Sequence, residues 1–319
     1  MIYRLKRNRV WRTYNGGSRI DKFYGVPSGL DSHFSEDWIA STVRAFNVGR
    51  EAIEEGISMT DSGKRLVDLF GNVSVLVKLL DADERLIIQV HPTVDFAKTH
   101  FSSNYGKTEC WYILETDENA HVYLGFRENI SRKLWITAFE QQNSHDMLSM
   151  MHKINVNPGE CFLVEGGIPH AIGGGCLILE IQEPTDFMVV PERYTPAGLR
   201  LTDEKMHCGL GFDKMFDCFI YEGLSYEETM KKYKQSPKTI DENRRTLVDV
   251  PGKFKMEKIN AKTNYCLPLN KEFTILIVMD GKGFINDMEV NKGDHFFITG
   301  DEKILDIKGP LQVVSCMPG

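Results

Sequence analysis

Gln89 and His91 stand two positions apart in the segment Arg85–Pro92, where Leu86, Ile88 and Val90 alternate with them. Extended chain sends successive side chains to opposite faces, so the apolar trio takes one face and Gln89 and His91 share the other. Further along, Glu109 opens a second strand-like stretch, and His170 follows the turn Gly166-Gly167-Ile168-Pro169. One amide oxygen, two imidazoles and one carboxylate form a borderline N/O donor set. It suits Zn²⁺, with Fe²⁺, Mn²⁺ or Co²⁺ as lesser candidates. A single anionic ligand leaves such a site about one net positive charge, which favours a Lewis acid over a structural clamp. The competing reading is that each residue alone is an ordinary hydrogen-bonded group of the core or surface. His33, His100, His121, His145, His152, His207 and His295 lack comparable company and are expected to be structural or surface residues.

The elements that must position this set belong to a chain of ordinary globular composition. With 319 residues, 42% hydrophobic and 26% charged, it is long enough for two domains and too apolar for disorder. No apolar run approaches the roughly 18 residues of a membrane span. Met1–Arg12 is basic and lacks the apolar core of a signal peptide. The net charge of −7 argues against a nucleic-acid surface and leaves room for a local pocket for a small anion. Seven scattered cysteines without a CxxC pair suit reduced thiols and a cytoplasmic location.

Strand patterns cover residues 73–80, 85–91, 110–115 and 120–125, then several pieces of 155–190, and again much of 254–316. Helical spacing is expected in insertions at about 58–70, 128–152, with a second helix from Ser144, and 203–233, in the pieces 203–208 and 225–233; the polar, proline-bearing stretch 234–245 reads as a linker. One internal echo stands out. Asn157-Pro158-Gly159-Glu160 before Cys161–Gly166 resembles Asn291-Lys292-Gly293-Asp294 before His295–Gly300. Repeated β units of this kind predict a mainly β protein with helical insertions, built as two jelly-roll sandwiches. The expected division is a metal-binding domain over 1–233 and a smaller one over 246–319. The second is expected to hold no metal, because the step from Gly159 to His170, taken from Gly293, reaches Ile304.

These residues also carry a family resemblance. Gln89-Val90-His91-Pro92 followed by Gly106-Lys107-Thr108-Glu109-Cys110-Trp111-Tyr112 resembles the signature of type I mannose-6-phosphate isomerases in their short bacterial form. So does Pro169-His170-Ala171-Ile172-Gly173 followed by Glu180-Ile181-Gln182. Upstream, Ser35-Glu36-Asp37-Trp38-Ile39-Ala40-Ser41 is similar to the family's Gly-Glu-x-Trp-x-x-Ser stretch. The likeness is specific from Trp38 to Asp186 and weak over the C-terminal β region. It implies cupin domains, with zinc held by Gln89, His91, Glu109 and His170, and a functional role for Lys107. It also implies an arginine four residues after Asp186, where this chain has Val190; Arg193, three residues on, is either the substitute at a sugar phosphate or a surface residue between Glu192 and Tyr194.

The reaction so implied interconverts mannose 6-phosphate and fructose 6-phosphate by moving a proton between C2 and C1 through an enediolate. A water on the metal, Lys107 or another carboxylate are open as the base. Two other classes stand beside this one: a zinc cupin that isomerises or epimerises a different sugar, with or without a phosphate, and a non-catalytic sugar-binding regulator on the same scaffold.

Overall fold

In the computed structural model, which describes every residue except Val48 and Glu51, the chain is mainly β, with short helices inserted between strands. A seven-stranded antiparallel sheet forms its centre. Across it run Lys234–Gln235, Cys161–Val164, Glu109–Thr116, Cys176–Gln182, Leu76–Ala82, Glu36–Ile39 and Arg9–Val10. Strand alternation gives this sheet two different faces. Leu80, Trp111, Ile113, Phe162 and Ile178 turn toward a four-stranded sheet of Gly223–Leu224, His121–Arg127, Met151–Asn155 and His170–Ile172, whose Val122, Leu124, Ile154 and Ile172 complete a sandwich core. Val77, Leu79, Cys110, Tyr112, Leu179 and Ile181 turn the other way and share one core with Met256, Ile275, Ile277, Phe297 and Val314.

Those last residues belong to a ten-stranded sheet drawn from residues 238–317, with one exception. Its edge strand is Ile2–Arg4, paired to His295–Thr299 as Ile2↔Ile298 and Arg4↔Phe296. The C-terminal half has a second core of its own, from Ile259, Leu276, Val278, Phe296, Leu305 and Val313. The division into two domains therefore stays a proposal in which the first strand crosses from one half to the other.

The echo in the sequence is a repeated turn. Glu160 N–H donates to Asn157 O at 3.2 Å and Asp294 N–H to Asn291 O at 3.0 Å. In each, the acid accepts from the asparagine N–H, at 2.9 Å and 2.8 Å. Both turns need a left-handed third residue, which Gly159 (φ 92°) and Gly293 (φ 91°) supply.

The sequence reading needs several corrections. Residues 85–91 form no strand; two isolated bridges, Gln89↔His170 and Val90↔Val189, and a bond from Leu86 N–H to Ile172 O at 2.8 Å hold them in place. The helix expected over 58–70 is confined to Leu66–Phe70, because Thr60 to Lys64 close a turn through Gly63 at φ 83°. The stretch 128–152 holds Arg132–Gln141 and the second helix expected from Ser144, Ser144–Ser149, which Asn143 caps. In 203–233 the expected pieces are Asp203–His207 and Tyr226–Tyr233, and an unexpected helix, Phe212–Asp217, lies between them. The stretch 234–245 is tied into both large sheets by Lys234–Gln235 and Lys238–Thr239. Most of these helices pack with Phe126, Ala171 and Val189 in a third core, on the outer side of the smaller sheet. No helix among the described residues is long and apolar enough to cross a membrane.

Candidate metal centre

His91, Glu109 and His170 bring one donor atom each to within 4.8 Å of one another, and all three are buried. Three separate pieces of chain deliver them. Glu109 is the first residue of Glu109–Thr116 and lies opposite Gln182 on the inner face of the sandwich. His170 opens His170–Ile172 and exchanges two backbone hydrogen bonds with Gln89, each 2.9 Å, which places the 85–91 segment beside it. His91 then lies where its carbonyl accepts from Gly167 N–H at 2.7 Å, and the next carbonyl, of Pro92, accepts from Lys107 N–H at 3.0 Å. Two glycines let these loops meet. A Cβ on Gly106 would fall 2.5 Å from Pro92 O, and one on Gly166 2.6 Å from the same atom. Glu183 fixes the loop before Glu109 by accepting from Gly106 N–H (3.2 Å), Thr108 N–H (2.8 Å) and Lys253 Nζ (2.7 Å).

The hydrogen bonds of the two histidines decide what the cluster does. His91 Nδ1 lies 2.8 Å from Phe187 O and His170 Nδ1 lies 2.9 Å from Ile168 O. A carbonyl only accepts, so each Nδ1 carries the proton and each Nε2 presents a lone pair. Those lone pairs point at carboxylate oxygens that also only accept: His91 Nε2 is 3.1 Å from one Glu109 oxygen and His170 Nε2 is 3.3 Å from the other. The Lys107 ammonium reaches only His91 Nε2 and Glu109 Oε2, and the buried His170 Nε2 has no hydrogen-bond partner. Facing lone pairs in a dry interior repel unless a cation lies between them, so the donor set fits a divalent metal. Burial, joined by the charge of Lys107, lowers the His91 pKa to about 3, and burial lowers that of His170, so both rings are neutral at physiological pH. Burial alone would raise the Glu109 pKa, but the charge of Lys107 holds it well below the usual carboxylate range. All three ligands thus stand in their metal-binding forms.

Gln89 and Lys107 line an inner chamber of about 50 Å³ next to this cluster. Lys107 Nζ is 2.8 Å from His91 Nε2 and 3.2 Å from Glu109 Oε2. The chamber also holds charges that the sequence reading did not assign: Arg12, Glu36, Lys78, Glu180 and Asp186. Lys78 and Glu180 face each other across neighbouring strands, with Nζ to Oε1 at 3.3 Å. Burial and the nearby Glu109 push the Glu180 carboxyl up to about 7, against the pull of Lys78. Arg12 reaches Asp186 at 3.2 Å and Glu36 at 3.3 Å. A charged residue inside an otherwise apolar run was the available signal: Lys78 interrupts the run 76–80 and Glu180 the run 176–181.

Arg193 is a correction. It does not line the chamber; its guanidinium pairs with Asp203 at 2.7 Å and lies over the rings of Phe139 and Phe212, both at 5.2 Å. The aromatic helix layer provides a cation-binding face that competes with any reach toward the metal cluster. Val190, at the position where the family resemblance implies an arginine, is fully buried, with its N–H on Met206 O at 2.9 Å.

A β-sandwich with a dry His/His/Glu cluster at one end, opening on a small chamber of paired charges, defines a metal-binding cupin-type protein. No family model matches the chain. It is 27% identical to mannose-6-phosphate isomerase ManA of Bacillus subtilis over 306 residues, covering 92% of this chain and 90% of that protein. It is 31% identical to mannose-6-phosphate isomerase of Streptococcus mutans over 186 residues, 56% of this chain and 55% of that one. The crystal structure of the Bacillus subtilis mannose 6-phosphate isomerase superposes with a TM-score of 0.79 at 23% identity, over 99% of both chains. The chain is thus similar over nearly its whole length to a protein named mannose-6-phosphate isomerase, and it shares the fold of the Bacillus subtilis structure.

Proposed function

We propose that this chain is a metal-dependent aldose–ketose isomerase that interconverts mannose 6-phosphate and fructose 6-phosphate, with Zn²⁺ held by Gln89, His91, Glu109 and His170. The observation that carries the reading is the pair of histidine lone pairs converging on Glu109 beside the chamber of Lys78, Lys107 and Glu180. When bound, a divalent cation supplies Lewis acidity to the sugar oxygens. The remaining work falls to the side chains. Moving a proton between C2 and C1 needs a group that takes it up and returns it near neutral pH, and Glu180 with its pKa near 7 is matched to that task. Lys78, 3.3 Å away, holds the Glu180 carboxylate in place when it is ionised. Lys107 sets a positive charge where negative charge grows on oxygen in the enediolate. Gln89, bonded through its backbone to His170, lines the same chamber and supplies the neutral fourth ligand. A cytoplasmic location is part of this reading, supported by seven free cysteines.

The test is a coupled assay that follows fructose 6-phosphate from mannose 6-phosphate. Turnover should vanish after chelation and return on adding Zn²⁺. Failure of the metal-replete protein to turn over mannose 6-phosphate would overturn the reading.

A further inference from the structure

The proposed substrate has two ends, and the structure separates where they go. The inner chamber, at about 50 Å³, admits only the reacting end of a sugar. It continues into two outer cavities of about 150 Å³ and 470 Å³; Met188 lines all three, and Phe46, Thr202 and Lys205 line both outer ones. Arg12 stands at the junction, lining the inner chamber and the 150 Å³ cavity alike. A six-carbon sugar that presents C1 and C2 to the inner chamber must therefore leave its far end in the outer cleft.

The 150 Å³ cavity is cationic, lined by Arg12, Arg200 and Lys205 and by no acid. Lys205 Nζ lies 4.9 Å over the ring of Phe46, and no carboxylate oxygen of a described residue comes within 4.0 Å of it. Arg12 is buried, and Asp186 and Glu36 orient its guanidinium. The charges can be counted. Arg12, Lys78, Lys107, Arg200 and Lys205 balance Glu36, Glu109, Glu180, Asp186 and Glu204, so a divalent cation in the cluster leaves the whole cleft about two charges positive. A phosphomonoester dianion matches that excess.

Resting on the isomerase reading above, we propose that Lys205 and Arg12 form the phosphate-recognising pair of this chain, and that selectivity for a phosphorylated sugar is set there and not at Arg193. Lys205 supplies a charge that no carboxylate of a described residue pairs within 4.0 Å. Arg12 supplies a rigid planar guanidinium, already oriented by Asp186 and Glu36, that lines both the inner chamber and the 150 Å³ cavity. Consistent with this, burial and then the charge of Arg12 depress the Lys205 pKa, which marks a cation short of a partner in a partly dry place.

Lys205→Gln is the working variant, since it breaks no ion pair among the described residues; Lys205→Arg and Arg193→Gln accompany it. Two readouts are taken on metal-replete protein: the ratio of kcat/KM for mannose 6-phosphate to that for mannose, and calorimetric titration with inorganic phosphate. Lys205→Gln should lower the ratio roughly 10- to 100-fold and weaken phosphate binding by a similar factor, while Lys205→Arg restores most of both. Arg193→Gln should leave the ratio within about twofold. An unchanged ratio together with unchanged phosphate affinity in Lys205→Gln overturns the pair. If the wild type turns over neither sugar, the isomerase reading fails, and the phosphate titration still decides whether Lys205 binds the anion.

Discussion

The two imidazoles of the cluster carry their protons on the far side, on Nδ1, held by Phe187 O and Ile168 O. That arrangement leaves each variant a distinct consequence. Alanine at His91 or His170 removes one neutral ligand, and elemental analysis after dialysis should find well under one metal per chain; a full equivalent in both variants would sink the assignment. A second residue-scale prediction concerns Asp186. Burial alone would raise its pKa, but Arg12, then Lys78 and Lys107, bring it down to about 2. A carboxyl depressed below its unfolded value near 3.8 stabilises the fold above that pH and loses the contribution as pH falls toward 2. Urea titrations between pH 5 and pH 2 should therefore show an acid loss of about 2 kcal/mol that Asp186→Asn lacks. Equal acid sensitivity in both proteins would contradict it. At this scale the sequence disclosed the residues that can ligate, because few side chains bind metals. It concealed Arg12, which neither period nor motif separates from a surface arginine until the fold buries it beside Asp186.

Between residues and fold, the loops around Pro92 form the scaffold of the site. Gly106 and Gly166 approach the Pro92-Thr93 backbone from two sides, and neither has room for a methyl group. Gly166→Ala should push this backbone away, at about 1–3 kcal/mol in stability. Because His91 precedes Pro92, metal affinity should fall as well, which calorimetric titration of the variant with Zn²⁺ would read. An alanine variant with wild-type stability and affinity would show that the loop yields without moving His91. The same element shows why strand alternation paired Gln89 with His91 although no strand exists there. Two isolated bridges, to His170 and Val189, impose an extended path on the segment, and an extended path has the period of a strand whether or not a ladder forms. The helices were less legible. Residues 58–70 carry helical spacing at Leu66, Leu69 and Phe70, yet the Gly63 turn keeps the first half of that stretch out of the helix.

At the scale of the whole molecule, the face of the central sheet turned away from the metal is not a surface. Val77, Leu79, Cys110, Tyr112, Leu179 and Ile181 share a core with Phe254, Met256, Ile275, Ile277 and Val314 from the C-terminal half. The β-rich class was readable from turns and alternation, and the repeated Asn157 and Asn291 turns hinted at two related units. The seam was not readable, because alternation says that a strand has an apolar face without saying which sheet covers it. Nor was the strand exchange: three residues, Ile2–Arg4, carry no pattern long enough to reveal a partner near residue 297. The two halves should then fold as one unit. A fragment ending at Arg245 would expose the seam residues of the central sheet as one contiguous apolar face, and one starting at Thr246 would leave the edge His295–Thr299 without its strand. The first fragment should aggregate on expression, and the intact chain should melt in a single calorimetric transition whose van't Hoff and calorimetric enthalpies agree. Two resolved transitions, or a soluble 1–245 fragment that unfolds cooperatively, would mean that the seam is an ordinary interdomain contact and that the metal-binding half stands without its neighbour.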